Sequence, residues 1–339
     1  MNAAFRVDAS LKIGLGHLMR CLALSEELTR RGNVCHFLSK IENSELINRI
    51  GKFDVNCHKI KPSATLKDDV ERLIKFSNEN DVKWIITDHY GINAEYIQKI
   101  KQNNFNVLSI DDTAQIHYYS DIIVNQNIGA EKLVFSSEKY SKFLLGTKYV
   151  MLRDELLQKY KRGSTNKVAK ILIMFGGADP DNVALKVLRM LESLNESVQF
   201  LVISGLVNPF YNDIKDYSKE TDLKITLLKS PKNMAKVYLE SDMAISAGGS
   251  TCYELVYFGI PNLIITIADN QLHIARELDK EKVGIYLGKK NEVKAEQFKN
   301  KIKSLINDDS LRNNMSQKGR QLVDGKGKRR IVEIMERYN

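Results

Sequence analysis

Met243-Ala-Ile-Ser246-Ala-Gly-Gly-Ser-Thr251-Cys-Tyr-Glu-Leu-Val-Tyr-Phe258 holds a short apolar strand, a turn of small residues and the start of an apolar helix. The strand is Met243–Ser246 and the helix Thr251–Phe258. Between them, Gly248 and Gly249 let backbone approach a phosphate with no Cβ in the way. The helix start adds unpaired N–H groups and the positive end of a dipole. Ser250 or Thr251 is placed to cap the helix and to donate a hydroxyl. One turn further in, Glu254 suits the two hydroxyls of a ribose, or simply favours the helix dipole.

The same strand–loop–helix grammar repeats outward in both directions. Downstream lie a strand at Asn262–Ile267 and helices at Gln271–Leu278, Ala295–Ile306 and Ser310–Leu322. Upstream lie strands at Lys170–Met174, Gln199–Ile203 and Lys224–Leu228, with helices at Asn182–Leu194 and Asn233–Ser241. A polar, turn-rich stretch, Gly163-Ser-Thr-Asn166, interrupts the pattern as a linker does. Before it the alternation runs again. Strands are expected at Ala4–Val7, Val34–Leu38, Trp84–Thr87, Asn106–Ile110 and Ile122–Asn125, and helices at His17–Arg31, Asp68–Asn78 and Ala94–Gln102. Gly32 is placed to close the first helix. Strands separated by helices predict parallel sheets. The fold class is α/β: two Rossmann-like, doubly wound domains facing across a cleft, residues 1–148 and 149–339, the second carrying a C-terminal helical tail. At 339 residues, against roughly 100–200 per domain, two domains is also what length predicts. Ligands of such sheets bind beyond the carboxyl ends of the strands.

Composition narrows the function classes. Hydrophobic residues are 43% and charged residues 27%, the balance of a globular protein in water. No apolar run reaches the roughly 20 residues that span a bilayer, and the N-terminus has no secretory pattern, so a cytoplasmic location and no membrane partner are expected. Cys21, Cys35, Cys57 and Cys252 form no CxxC or CxH spacing, which predicts free thiols and no metal framework. The net charge of +9 is spread along the chain, and only Lys326-Gly-Lys-Arg-Arg330 is dense. With no RNA-binding motif or recognition-helix module, no nucleic-acid partner is expected. A monomer is the simplest assembly.

Several strand-ending loops carry residues suited to chemistry. Gly14-Leu-Gly16-His17 follows the first strand. Its glycines permit close ligand approach, and His17 opens a helix whose positive end favours a neutral ring, as a general base for water requires. A capping or packing histidine is the plainer reading. Asp88-His-Tyr90 and Asp111-Asp112 end two further strands. Tyr90 is suited to a sugar. The carboxylates are suited to orienting His17, to holding sugar substituents or to capping loops. Asp8, Asp88 and Asp111 have no spacing that fixes a metal geometry, so no metal is expected. In the second half, Phe175-Gly176-Gly177-Ala-Asp179 is a second loop that can meet a pyrophosphate. The absence of a lysine after its glycines disfavours a P-loop ATPase. Ala268-Asp-Asn270-Gln271 offers amides to a diphosphate, a sugar or a water, or starts a helix.

Taken together these stretches resemble the PseG/SpsG family of UDP-sugar hydrolases, within the two-domain GT-B architecture. The likeness rests on Phe5-Arg6-Val-Asp8-Ala-Ser10, Ile13-Gly-Leu-Gly-His17-Leu-Met-Arg20-Cys21, Ile110-Asp-Asp112 and Leu145–Arg153. It continues through Phe175–Asp179, Asn233-Met234-Ala235, Ser246–Glu254 and Asp269-Asn-Gln271. The segment around His17 is the specific one. The resemblance implies hydrolysis of UDP-2,4-diacetamido-2,4,6-trideoxy-β-L-altropyranose to sugar and UDP, with inversion and without metal or cofactor, in pseudaminic acid synthesis. It implies that His17 activates water and that Tyr90 and Asn270 place the sugar and diphosphate. It further implies pyrophosphate contacts from Gly176, Gly177, Ser250 and Thr251, a backbone contact from Met234 to uracil, and ribose held by Glu254. Arg6, Asp8, Gly14, Gly16 and Gln271 complete the expected substrate contacts. The rivals are a UDP-GlcNAc-type glycosyltransferase of the same fold, a hydrolysing 2-epimerase, and a non-catalytic nucleotide-sugar binding protein.

Overall fold

The protein is described from a computed structural model covering residues 2–9, 14–41, 43–158, 167–194 and 196–338. The chain divides into two units, Met1–Asp154 with Gly325–Asn339, and Glu155–Asp324. The expected linker, Gly163–Asn166, lies outside the described residues, as do Ser10 and Ile13.

In the first unit the strands are β1 (Asn2–Val7), β2 (Cys35–Ser39), β3 (Asn56–Lys59), β4 (Val82–Asp88), β5 (Asn106–Ile110), β6 (His117–Tyr118), β7 (Ile122–Asn125), β8 (Ser136–Ser137) and β9 (Lys142–Leu145). Seven of them form one sheet in the order β3-β2-β1-β4-β5-β7-β9, and β6 pairs with β8 apart from it. Every pairing is parallel. The central strands are buried on both faces: β1 is covered from Ala3 to Val7, and in β4 the run Trp84-Ile-Ile is apolar without a break. The helices are α1 (Gly16–Arg30), α2 (Ser44–Ile50), α3 (Leu66–Glu79) and α4 (Ala94–Gln102). Local chemistry sets their ends. Thr65 and Asp68 form a reciprocal capping box at the start of α3, and Asn93 caps α4. Gly32 (φ +81°) follows the last turn of α1 as expected. Val70, Leu73 and Ile74 of α3 pack with Ile97 and Ile100 of α4 over Ala4, Ile85 and Val107 of the sheet.

The second unit has strands β10 (Lys170–Met174), β11 (Gln199–Ser204), β12 (Lys224–Lys229), β13 (Met243–Ala247), β14 (Asn262–Thr266) and β15 (Ile285–Lys289). Their order, β12-β11-β10-β13-β14-β15, is the doubly wound dinucleotide-fold order, again all parallel. The helices are α5 (Val183–Leu191), α6 (Tyr211–Glu220), α7 (Met234–Leu239), α8 (Thr251–Phe258), α9 (Leu272–Lys280), α10 (Ala295–Asn307) and α11 (Asp309–Leu322). In both units the strand order reverses beside the first strand. The loops after β1 and β4, and those after β10 and β13, therefore flank a crevice of their own sheet.

Two expectations are corrected. The division falls after Asp154 instead of at 148/149. The C-terminal segment, with α12 (Gly327–Met335), belongs to the first unit instead of extending the second. Its dense basic run is drawn in by opposite charge: Lys328, 2% exposed, bonds Glu26 (2.8 Å) and Asp154 (2.7 Å). Arg329 pairs with Glu333, and Arg330 donates to the Lys148 carbonyl. All four cysteines are free, three of them buried. Among the described residues no helix is long and apolar enough to cross a membrane, and no group of three or more potential ligands could hold a metal ion.

Candidate active site

In the first unit the loops after β1, β4 and β5 gather around the first turn of α1. His17 is 7% exposed. Its Nδ1 lies 2.6 Å from Asp88 Oδ1, at the end of β4. Arg20 Nη2, which can only donate, lies 3.1 Å from the same Nδ1, but the 2.6 Å contact is to an ionised carboxylate, which can only accept; the shorter contact puts the hydrogen on Nδ1 and, in the neutral ring, the lone pair on Nε2. Among the described residues nothing bonds Nε2. One turn along α1, Arg20 donates to both oxygens of Asp88 (2.6 and 2.7 Å) and both of Asp112 (2.8 and 3.0 Å). Burial opposes charge on Asp88, but Arg20 and His17 outweigh it and hold its carboxyl well below the usual range. Asp112 is lowered in the same way, chiefly by Arg20 against burial. Tyr90, half exposed, meets the His17 ring edge-on at 4.6 Å, and its hydroxyl donates to Asp112 at 3.1 Å. Asn127 also donates to Asp112, at 2.8 Å. Asp111 instead caps its own loop, accepting from the Thr113 and Ala114 N–H groups.

Two expected ligand contacts are placed elsewhere. Arg6 is 2% exposed and directs four N–H bonds at Asp8 (2.7 and 2.9 Å) and Asp69 (2.8 Å each). Asp8 accepts in addition from the Lys40 N–H at 2.7 Å and lies 3.0 Å from His89 Nε2. A buried guanidinium needs such partners, so this pair braces the ends of β1 and β4 instead of reaching outward. Gly14 (φ +81°) and Gly16 form the loop entering α1.

In the second unit, the loops after β10, β13 and β14 carry the remaining expected residues. Gly176 has φ +78°, and Gly177 follows it. Ser250 precedes α8, yet neither its hydroxyl nor that of Thr251 caps the helix. The N–H groups of Gly249, Ser250 and Thr251 have no hydrogen-bond partner among the described residues. The Gln271 side-chain oxygen accepts from Gly248 (3.2 Å) and Ile267 (3.0 Å), bracing the loop. A Cβ on Gly248 would meet Thr266 Cγ2 at 3.0 Å and the Gln271 backbone oxygen at 3.1 Å, so a side chain there would press on the neighbouring loop. Asn270 is exposed and caps neither neighbouring helix. Glu254, half-buried on the first turn of α8, accepts a short hydrogen bond from the fully buried Tyr238. Met234 opens α7 behind an Asn233 cap.

Arg20, Asn127 and Tyr238 were not foreseen as site residues. Arg20 carried a signal: three residues after His17 on a helix, it shares that residue's face. Nothing local marks Asn127 or Tyr238, whose partners lie on other elements.

Residues 171–333 match the glycosyltransferase family 28 C-terminal domain. An uncharacterized protein of Methanocaldococcus jannaschii is 30% identical over 80% of this chain, which spans 56% of that protein's length. The spore coat polysaccharide biosynthesis protein SpsG of Bacillus subtilis is 24% identical over 99% of this chain and 98% of its own. The UDP-2,4-diacetamido-2,4,6-trideoxy-β-L-altropyranose hydrolase of Campylobacter jejuni is 26% identical over 83% of this chain and 97% of its own. Among solved structures, MurG of Acinetobacter baumannii superposes with a TM-score of 0.74 at 14% identity, covering 99% of this chain and all of that one. The fold is therefore GT-B.

Proposed function

We propose that this chain, similar over most of its length to SpsG and to the altropyranose hydrolase, is of the PseG/SpsG kind and hydrolyses a UDP-sugar, releasing UDP by attack of water at the anomeric carbon. One observation carries the reading: Asp88 takes the Nδ1 side of His17 and leaves Nε2 as an acceptor. The same division of labour orients the base histidine of hydrolytic triads. As the water oxygen bonds the anomeric carbon, His17 Nε2 takes its proton. The bond to the phosphate oxygen breaks with its electron pair on that oxygen, and UDP departs.

The second unit holds the leaving group in this account. The N–H groups of Gly249, Ser250 and Thr251 face the charge that grows on the diphosphate. Such preset dipoles are commonly the largest catalytic contribution. Glu254 takes the ribose, and the Met234 backbone meets uracil. Tyr90 and Asn270 place the sugar and diphosphate. Attack from the face opposite the leaving group inverts the anomeric centre. No step calls for a metal or cofactor, and the chain works as a monomer in the cytoplasm.

The match to a transferase C-terminal domain favours a second reading, in which a sugar hydroxyl replaces water. A panel of UDP-sugars that includes UDP-GlcNAc and the diacetamido altropyranose compound, followed by proton NMR without any acceptor, separates the two. The hydrolase reading expects UDP and an inverted anomer to appear together, fastest from the diacetamido sugar. No UDP release without an added acceptor, and release with one, would favour transfer.

A further inference from the structure

Among the described residues, the cluster around His17 holds one negative charge more than its clamp needs. Arg20 brings one positive charge, and Asp88 and Asp112 bring one negative charge each. With a neutral imidazole the group sums to minus one, and a proton on His17 brings it to zero. A surplus carboxylate whose side chain is only 14% exposed is costly unless something uses it. Asp112 is also the point where the base and its aromatic neighbour are tied together: Arg20 links it to Asp88 and so to His17, and the Tyr90 hydroxyl bonds it directly.

We propose that Asp112 is a positioning residue, which sets through Arg20 the charge that His17 works against and fixes Tyr90 beside it. Among the described residues, the groups around His17 are Asp88 from β4, Arg20 from α1, Tyr90 from the turn after β4, and, one contact further out, Asp112 from the loop after β5 and Cys21 from α1. Cys21 does not join the charge count, because burial holds its thiol neutral while it donates to Asp88 at 3.4 Å. The excess negative charge favours the imidazolium that forms as water is deprotonated. The inference rests on His17 being the base, yet its first readout does not need turnover.

The test is the NMR titration of the His17 ring, assigned by its absence from His17→Gln, in the wild type and in the near-isosteric Asp112→Asn. Removing the negative charge should lower the His17 midpoint by about one pH unit. The acid limb of the rate of UDP release should move down equally. Asp111→Asn, whose carboxylate caps its loop and does not touch Arg20, should leave the midpoint in place. Asp112→Glu should largely restore it. An unmoved midpoint in folded Asp112→Asn overturns the proposal. If that variant does not fold, the wild type still decides: the Asp112 carboxyl carbon and Tyr90 ring resonances must shift in step with His17, and flat traces overturn it. A wild type that releases no UDP from any sugar would sink the hydrolase reading while the titration still decided the coupling.

Discussion

Asp179 shows how a single side chain can serve the fold at a cost in charge. It is 2% exposed at φ +40° and accepts the Val183 and Ala184 N–H groups at the start of α5. Burial raises its carboxyl above the usual range despite those bonds. A folded value above the unfolded one means that folding disfavours the ionised form. The penalty is present at neutral pH, fades as pH falls through the raised folded value, and is gone below about 4. Asp179→Asn tolerates the left-handed backbone but has one acceptor for two N–H groups and turns an NH₂ toward the other. The lost bond outweighs the relief of charge, and the melting temperature at pH 7 should fall by about 2 °C. A higher melting temperature at pH 7 would contradict this. Legibility in the sequence follows the same local logic. His17 stood out because it opens a helix after glycines, and Asp88 and Asp112 because they end strands. Arg6 and Asp8 entered as substrate contacts through the resemblance alone, and no local pattern shows that a third partner, Asp69 from α3, takes up the Arg6 guanidinium.

At the level of elements, the sheet explains which readings succeeded. Strands buried on both faces give continuous apolar runs, so β5, β7 and β10 match their expected bounds to the residue. The strands that went unread stand at or near sheet edges. In β3 the residues are Asn56-Cys-His-Lys59, half-exposed and polar; β9 is only four residues long, and in β15 the alternation is limited to Ile285 and Leu287. Their strand form comes from pairing with a neighbour, which no local pattern records. Loop crossings are similarly tertiary. A Cβ on Gly205, after β11, would lie 2.3 Å from the Gly177 carbonyl oxygen and 2.4 Å from its Cα. Gly205→Ala must therefore push the Gly176–Gly177 loop aside. Overpacking of this kind costs about 1–3 kcal/mol, and the diphosphate contact proposed for the loop predicts a loss of UDP affinity as well. Calorimetry and a thermal melt check both, and wild-type affinity with wild-type stability would remove that loop from the account.

For the molecule as a whole, chain order and unit membership part company at the C-terminus. Beyond the Lys328 pairs with Glu26 and Asp154, Arg31 bonds Glu336 at 2.6 Å and the Tyr338 ring meets Trp84. A Cβ on Gly327 would lie 2.2 Å from the Val150 carbonyl oxygen, so the segment sits close against the end of the first unit. The sequence showed a basic run there, but its acidic partners lie about 175 and 300 residues away and leave no local trace. The central claim assigns chemistry to the first unit and the hold on UDP to the second. It is tested most directly by His17→Gln, with UDP release from a UDP-sugar and UDP affinity measured on the same preparation. The account predicts that release falls by about 10²–10⁴-fold while UDP affinity stays at the wild-type value. Turnover at the wild-type rate, or a parallel loss of UDP binding, would contradict it.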